Sequence, residues 1–238
     1  MIGSQNMFPP VVKNLLIINV ILFIATYYVF PDMGINLKDF LGLHYWKSDF
    51  FKPWQFVTYI FMHADESHLF FNMFAIWMFG SAIENYWGSK RFLNYYIITG
   101  IGAAIIHYFI IHIQASLLEP LLDQQTIDLA LQGKYYPNRL TPNSQQYLSL
   151  VGGLVGASGS LFGILLAYGM SFPNHKIYLY FLFPIKAKYL VMGYGFIELY
   201  SGIENNPGDN VAHFAHLGGM LVGFITIWYW RKNNSNFY

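Results

Sequence analysis

The stretch "VGGLVGASGSLFGILLAYG", residues 151–169, is apolar enough for a lipid interior, yet it is rich in glycine and has Ser158 near its middle. Each glycine weakens a helix by about 1 kcal/mol relative to alanine. The first half of the run, "LSLVGGLVGA" (148–157), is too glycine-rich for a secure helix. Irregular backbone is therefore expected down to about Ser158, with a helix of roughly 14 residues below it. Such a helix rises ~21 Å, short of the ~30 Å of a hydrocarbon core, so a water-filled cavity is expected above it. Ser158 would then stand at a helix N-terminus, where free N–H groups and the helix dipole favour developing negative charge.

The flanking sequence supports a membrane reading. Of 238 residues, 55% are hydrophobic, 20% aromatic and only 11% charged, where a soluble domain carries about a quarter charged. Apolar runs recur at about 12–30, 67–86, 91–113, within 148–171, at 186–203 and at 211–230. The expectation is an all-α membrane protein with six transmembrane helices, one domain over 1–238. "IYLYFLFP" (177–184) is too short to span and reads as an interfacial belt. Residues 31–66, with "FLGLHYWKSDFFKPWQF", read as an outer loop lying in the interface. Residues 114–147 read as an extended polar outer loop, part of it helical. The absence of cysteine excludes disulfides, thiolate metal sites and a cysteine nucleophile. A net charge of +1 points to no nucleic acid, and residues 1–11 lack the basic n-region of a cleavable signal peptide.

Lysine and arginine set the orientation. With the N-terminus cytoplasmic, the inner flanks hold Lys13, Lys90, Arg91, Lys176, Lys186, Lys188, Arg231 and Lys232. The outer ones, Lys38, Lys47, Lys52, Lys134 and Arg139, are spread over two long acidic segments. Both termini are expected inside, and the protein multi-pass.

Polar side chains in lipid are costly and face the bundle interior or a wet cavity. Here His68 and Asn72, four apart on span two, Ser158 on span four, and His213 and His216 on span six all fall in the outer half of the membrane. His216, Gly219 and Gly223 form one stripe of span six, and Gly159 and Gly163 a smooth stripe on span four. Small residues let helices approach closely in lipid, and that contact would bring Ser158 within reach of His216. A Ser–His pair beside N–H, imidazole and amide donors is apparatus for acyl transfer.

"GASG" (Gly156–Gly159), "HLFFN" (His68–Asn72) and "AHLGGMLVG" (Ala215–Gly223) resemble, in order, the motifs of the rhomboid family of intramembrane serine proteases. The resemblance covers about 45–230. It implies a serine endopeptidase that cleaves transmembrane or juxtamembrane segments of other membrane proteins, without cofactor or metal. Ser158 would be the nucleophile and His216 the general base. His68, Asn72 and the Ser158 N–H would form the oxyanion hole. Gly156 would lie in the nucleophile loop, and Gly159, Gly219 and Gly223 would close-pack spans four and six. A bacterial cytoplasmic membrane is the expected home, with the active site opening outside. Three features depart from the family pattern. Gln55 in "PWQF" (Pro53–Phe56) replaces a frequent arginine, Phe162 stands where several bacterial members have a tyrosine that stacks on the catalytic histidine, and the outer segment before span four is long.

A catalytically inactive rhomboid-like protein would bind membrane clients without cutting them, but such proteins lack the serine or histidine. A transporter would need a polar line through the whole bilayer. The His63/His68 and His213/His216 pairs lack an HExxH pattern. Glu198 reads as a cavity-facing acid or as a third triad member, and His213 as structural. Glu84 reads as a cap or a partner of Lys90 or Arg91, and Asp209 as a loop or capping acid.

Overall fold

The computed structural model describes residues 6–134, 141–179, 183–204 and 211–233. Arg139, Asp209 and residues 180–182 of the expected aromatic belt lie outside them.

Helix α1 (Pro10–Ile24) begins with proline at its first position, where the missing N–H costs nothing. A π-turn, Ala25–Val29, extends it. Its free amides at Val11 and Val12 donate to the Glu84 carboxylate at 2.9 and 2.8 Å, and Ser89 Oγ donates to the same group at 2.6 Å. Glu84 thus caps α1 from a buried position, and no hydrogen bond or ion pair joins it to Lys90 or Arg91 among those described.

Residues 31–66 hold two short helices, α2 (Leu37–Leu41) and α3 (Gln55–Thr58). Gln55, fully buried, ties the segment together. Its amide nitrogen donates to the carbonyls of Asp39 and Phe50, and its oxygen accepts from the amides of His44 and Lys52. The neutral amide does this by offering both donors and an acceptor, which a guanidinium lacks.

Asp65 then caps α4 (Glu66–Ala75), accepting from the His68 amide at 2.8 Å. The helix passes through a π-turn, Ile76–Gly80, into α5 (Ser81–Trp87). The longest helix, α6 (Ser89–Leu118), follows, then α7 (Gln124–Leu131) and α8 (Pro142–Val151), the latter opened by a Thr141–Ser144 capping box. Residues 148–151, expected to be irregular, form the last turn of α8. They carry no glycine, and Tyr147 and Val151 are buried in a small second core with Tyr45, Ile111, Ala115 and Ala130.

Helix α9 (Ser158–Ser171) is 14 residues long and starts at the serine. An antiparallel hairpin, β1 (Lys176–Leu179) with β2 (Phe183–Lys186), pairs Lys176 with Lys186 and Leu179 with Phe183. It is the one departure from an all-helical chain among the described residues. Helices α10 (Ala187–Glu204) and α11 (His213–Asn233) complete the fold.

The chain is mostly helical, and α9 lies at its centre, packed by α6, α10 and α11. Two segments, Pro10–Val29 and Ser89–Leu121, are long and apolar enough to cross a membrane, and α9 is a shorter apolar helix. Large apolar side chains are exposed on α1, α6, α10 and α11, among them Ile21, Phe109, Phe196 and Trp228.

Candidate active site

The break before α9 is built by glycine and pinned from residues 31–66. Leu154 and Leu43 exchange both backbone hydrogen bonds, at 2.8 and 2.9 Å, and the Gly156 amide donates to the Tyr59 carbonyl at 3.0 Å. Gly156 has φ +131°, a backbone that a side chain resists. A Cβ there would also stand 2.9 Å from His68 Nε2 and 3.7 Å from Ser158 Oγ. The close neighbour of Gly156 is therefore an imidazole, not another helix, and the missing side chain keeps open the space between His68 and Ser158.

Ser158 Oγ lies 2.8 Å from His216 Nε2. The two residues come from α9 and α11, 58 positions apart. Gly219 explains the approach. A Cβ on Gly219 would strike the Gly159 carbonyl, so only glycine lets the helices pass this closely. Gly163 and Gly223 pack otherwise than expected. They face α6, Gly163 against Thr99, and Gly223 against Tyr95, whose hydroxyl donates to the Gly163 carbonyl at 2.9 Å. One helical turn below the site, α6 therefore fills the seam between α9 and α11.

Phe162, one turn beyond Ser158, stacks on the His216 ring at 4.2 Å and 7°. The stack needs a flat ring and no hydroxyl. Ser160, two residues on, is fully buried and donates to the Tyr96 carbonyl at 2.8 Å, so it is committed to packing.

His68 Nδ1 accepts from the Ala64 amide at 3.3 Å. That contact places the ring proton on Nε2, the nitrogen facing Gly156. Asn72 is buried and donates from Nδ2 to the His68 carbonyl at 2.8 Å, leaving one amide hydrogen uncommitted. Among the described residues Asn72 makes no hydrogen bond to Ser158 or His216.

The far side of His216 meets an acid. Glu198 Oε2 lies 2.9 Å from His216 Nδ1 and 2.6 Å from His213 Nδ1. The His216 approach has the length of an ion pair, but among the described residues its Nδ1 has no aligned hydrogen bond. The sequence offered a clue to this placement. Glu198 is the sole acid between Lys188 and Gly202. It stands at i+3 between Gly195 and Gly202, which pack on Met220 and on His213 and Phe214 of α11.

The Rhomboid domain family matches residues 51–233 of this chain. The chain belongs to the rhomboid family. Curated relatives of this rhomboid include Rhomboid protein 1, mitochondrial, of Saccharomyces cerevisiae, 27% identical over 178 residues, covering 72% of this chain and 40% of that protein. Rhomboid protease GluP of Bacillus subtilis is 27% identical over 174 residues, covering 72% and 25%. Rhomboid protease AarA of Providencia stuartii is 27% identical over 190 residues, covering 72% and 54%. The rhomboid chain thus spans from a quarter to about half the length of these three relatives. Two of them are named proteases, which supports hydrolase chemistry in a membrane-embedded family.

Proposed function

We propose that this chain is an intramembrane serine endopeptidase of one domain and six transmembrane helices, with both termini cytoplasmic and the site open to the outer face of a bacterial cytoplasmic membrane. Its substrates are transmembrane or juxtamembrane segments of other membrane proteins. The observation that carries the reading is the 2.8 Å contact of Ser158 Oγ with His216 Nε2 at the start of a short, buried helix, under the Phe162 stack.

In the proposed reaction His216 Nε2 takes the Ser158 proton as Oγ attacks the scissile carbonyl carbon. The carbonyl oxygen becomes an oxyanion. It is met by the free Ser158 N–H at the start of α9, by His68 Nε2–H across the Gly156 gap, and by the second Asn72 amide hydrogen. The imidazolium of His216 then protonates the leaving amine, and the bond to nitrogen breaks. A water then gives a proton to His216 as it attacks the acyl-enzyme carbonyl, the bond to Oγ breaks, the new carboxylic acid leaves, and His216 returns the proton to Ser158 Oγ. No metal or cofactor enters these steps.

The test is cleavage of a fluorogenic transmembrane peptide by the detergent-purified chain, with a fluorophosphonate label read on Ser158. Wild type is expected to cut and to label. Ser158→Ala and His216→Ala, still folded, are expected to fall to background. Cutting that survives Ser158→Ala would sink the mechanism, and a wild type that neither cuts nor labels would favour a client-binding role.

A further inference from the structure

Beyond Ser158 and His216, we infer that Glu198 is a positioning residue that turns the pair into a Ser–His–Glu relay, and that His213 holds the carboxylate in place. The inference rests on the protease reading and deepens it. A carboxylate inside an apolar bundle is costly unless it is partnered, and Glu198 is 8% exposed and the sole acid of α10 before its last residue, Glu204. Its Oε2 has two imidazoles against it, His213 Nδ1 at 2.6 Å and His216 Nδ1 at 2.9 Å. Because Ser158 occupies His216 Nε2 as a hydroxyl donor, the neutral ring carries its proton on Nδ1. That Nδ1 is buried, and no hydrogen bond satisfies it at rest. The nearest acceptor is the Glu198 carboxylate, and a small rotation of the ring aligns the two. Such hydrogen bonds often tighten only when substrate is bound.

Helix packing holds the carboxylate there. The glycines on either side of Glu198 press α10 onto α11 at Met220 and Phe214, so the acid has little freedom to leave. His213 Nδ1–H donates to the same oxygen and fixes the carboxylate from the outer side. Among the described contacts Glu198 reaches His213 and His216 but not Ser158. It works through His216, by keeping the proton on Nδ1 in the resting state and by stabilising the imidazolium when Ser158 gives up its proton.

The test measures kcat and KM for the fluorogenic peptide with the full chain, wild type beside Glu198→Gln and Glu198→Asp. Glutamine keeps the shape and removes the charge. It is expected to lower kcat at least about tenfold with KM unchanged, and aspartate to regain part of the loss. Unchanged kcat in Glu198→Gln overturns the inference, as does an equal loss in both variants accompanied by a raised KM, which is the mark of damaged packing. Wild type supplies a second reading that does not depend on a variant folding. Histidine-labelled wild type carrying the fluorophosphonate on Ser158 should give a far-downfield Nδ1–H proton signal stronger than in the resting protein, and its absence from that adduct also overturns the inference. A wild type that neither cuts nor labels at Ser158 removes the protease reading itself. That result differs plainly from a wild type that cuts while Glu198→Gln cuts equally well.

Discussion

His63 is 1% exposed, has no hydrogen-bond partner at either ring nitrogen among the described residues, and stands 5.1 Å from the His68 ring. Burial, together with the adjacent His68, pushes its pKa down to about 3. In the unfolded chain the imidazole takes a proton near pH 6.5, while in the folded protein it stays neutral. Its share of stability is therefore intact above about pH 6.5 and drains away as pH falls toward 3, by up to about 1.4 kcal/mol per unit. Thermal unfolding in detergent should show wild type losing stability below pH 6.5 more steeply than His63→Phe, and parallel curves would place the acid sensitivity elsewhere. At the other histidine cluster, Glu198, His213 and His216 offer ligand atoms within 4.8 Å of one another, of the types that zinc accepts. The 2.6 and 2.9 Å separations are those of direct N–O contact and leave no room for an ion between them. Labelling of Ser158 is accordingly expected to be unchanged by EDTA. Loss under EDTA that zinc restores would reassign the cluster.

At the scale of the helix, the Gly219–Gly159 crossing sets the distance between Ser158 and His216. Gly219→Ala drives a methyl into the Gly159 carbonyl. It is expected to cost about 1–3 kcal/mol of stability and to slow labelling of Ser158, measured together as a lower melting temperature and a lower probe rate. Normal labelling in a stable Gly219→Ala protein would show that α9 and α11 tolerate separation. Much of this element was legible beforehand. The glycine-rich "VGGLVGA" predicted broken backbone, and α9 begins at Ser158, 14 residues long. The spacing of Gly163 and Gly223 misled, because a stripe on each of two helices says nothing of a third. Tyr95 and Thr99 of α6 enter between them, and no motif marks those residues. Glu198 stood out as a lone acid. Its proximity to His216 depends on how α10 rolls against α11, which the Gly195–Glu198–Gly202 spacing encodes only once α11 is known to be the neighbour. The 176–186 hairpin was hidden by a run read as a membrane-interface belt.

Across the whole molecule there is a second packing centre, distinct from the site. Tyr147, fully buried, donates to Glu119 Oε1 at 3.1 Å, and Lys47 pairs with the same carboxylate at 2.8 Å, joining residues 31–66 to the segment between α6 and α9. Tyr147→Ala empties this centre and is expected to cost about 3–5 kcal/mol. Hydrogen exchange should rise in α7 and α8 first, while α9 and α11 keep their protection. Exchange that rises everywhere at once would make the outer layer part of one cooperative unit with the site.

The shortness of α9 has a consequence for what leaves the enzyme. In the proposed orientation its 14 residues lift Ser158 about 21 Å from the inner boundary, leaving ~9 Å of a ~30 Å hydrocarbon core above. A helical substrate cut at that level divides unequally. The outer piece keeps only about six residues in lipid, too few to anchor it, whereas the inner piece keeps more than twice as many. Under the proposed function, hydrolysis would be directional in space. The outer fragment would be shed and the inner one would stay behind, so the fate of each half would be decided by where a glycine-broken helix begins.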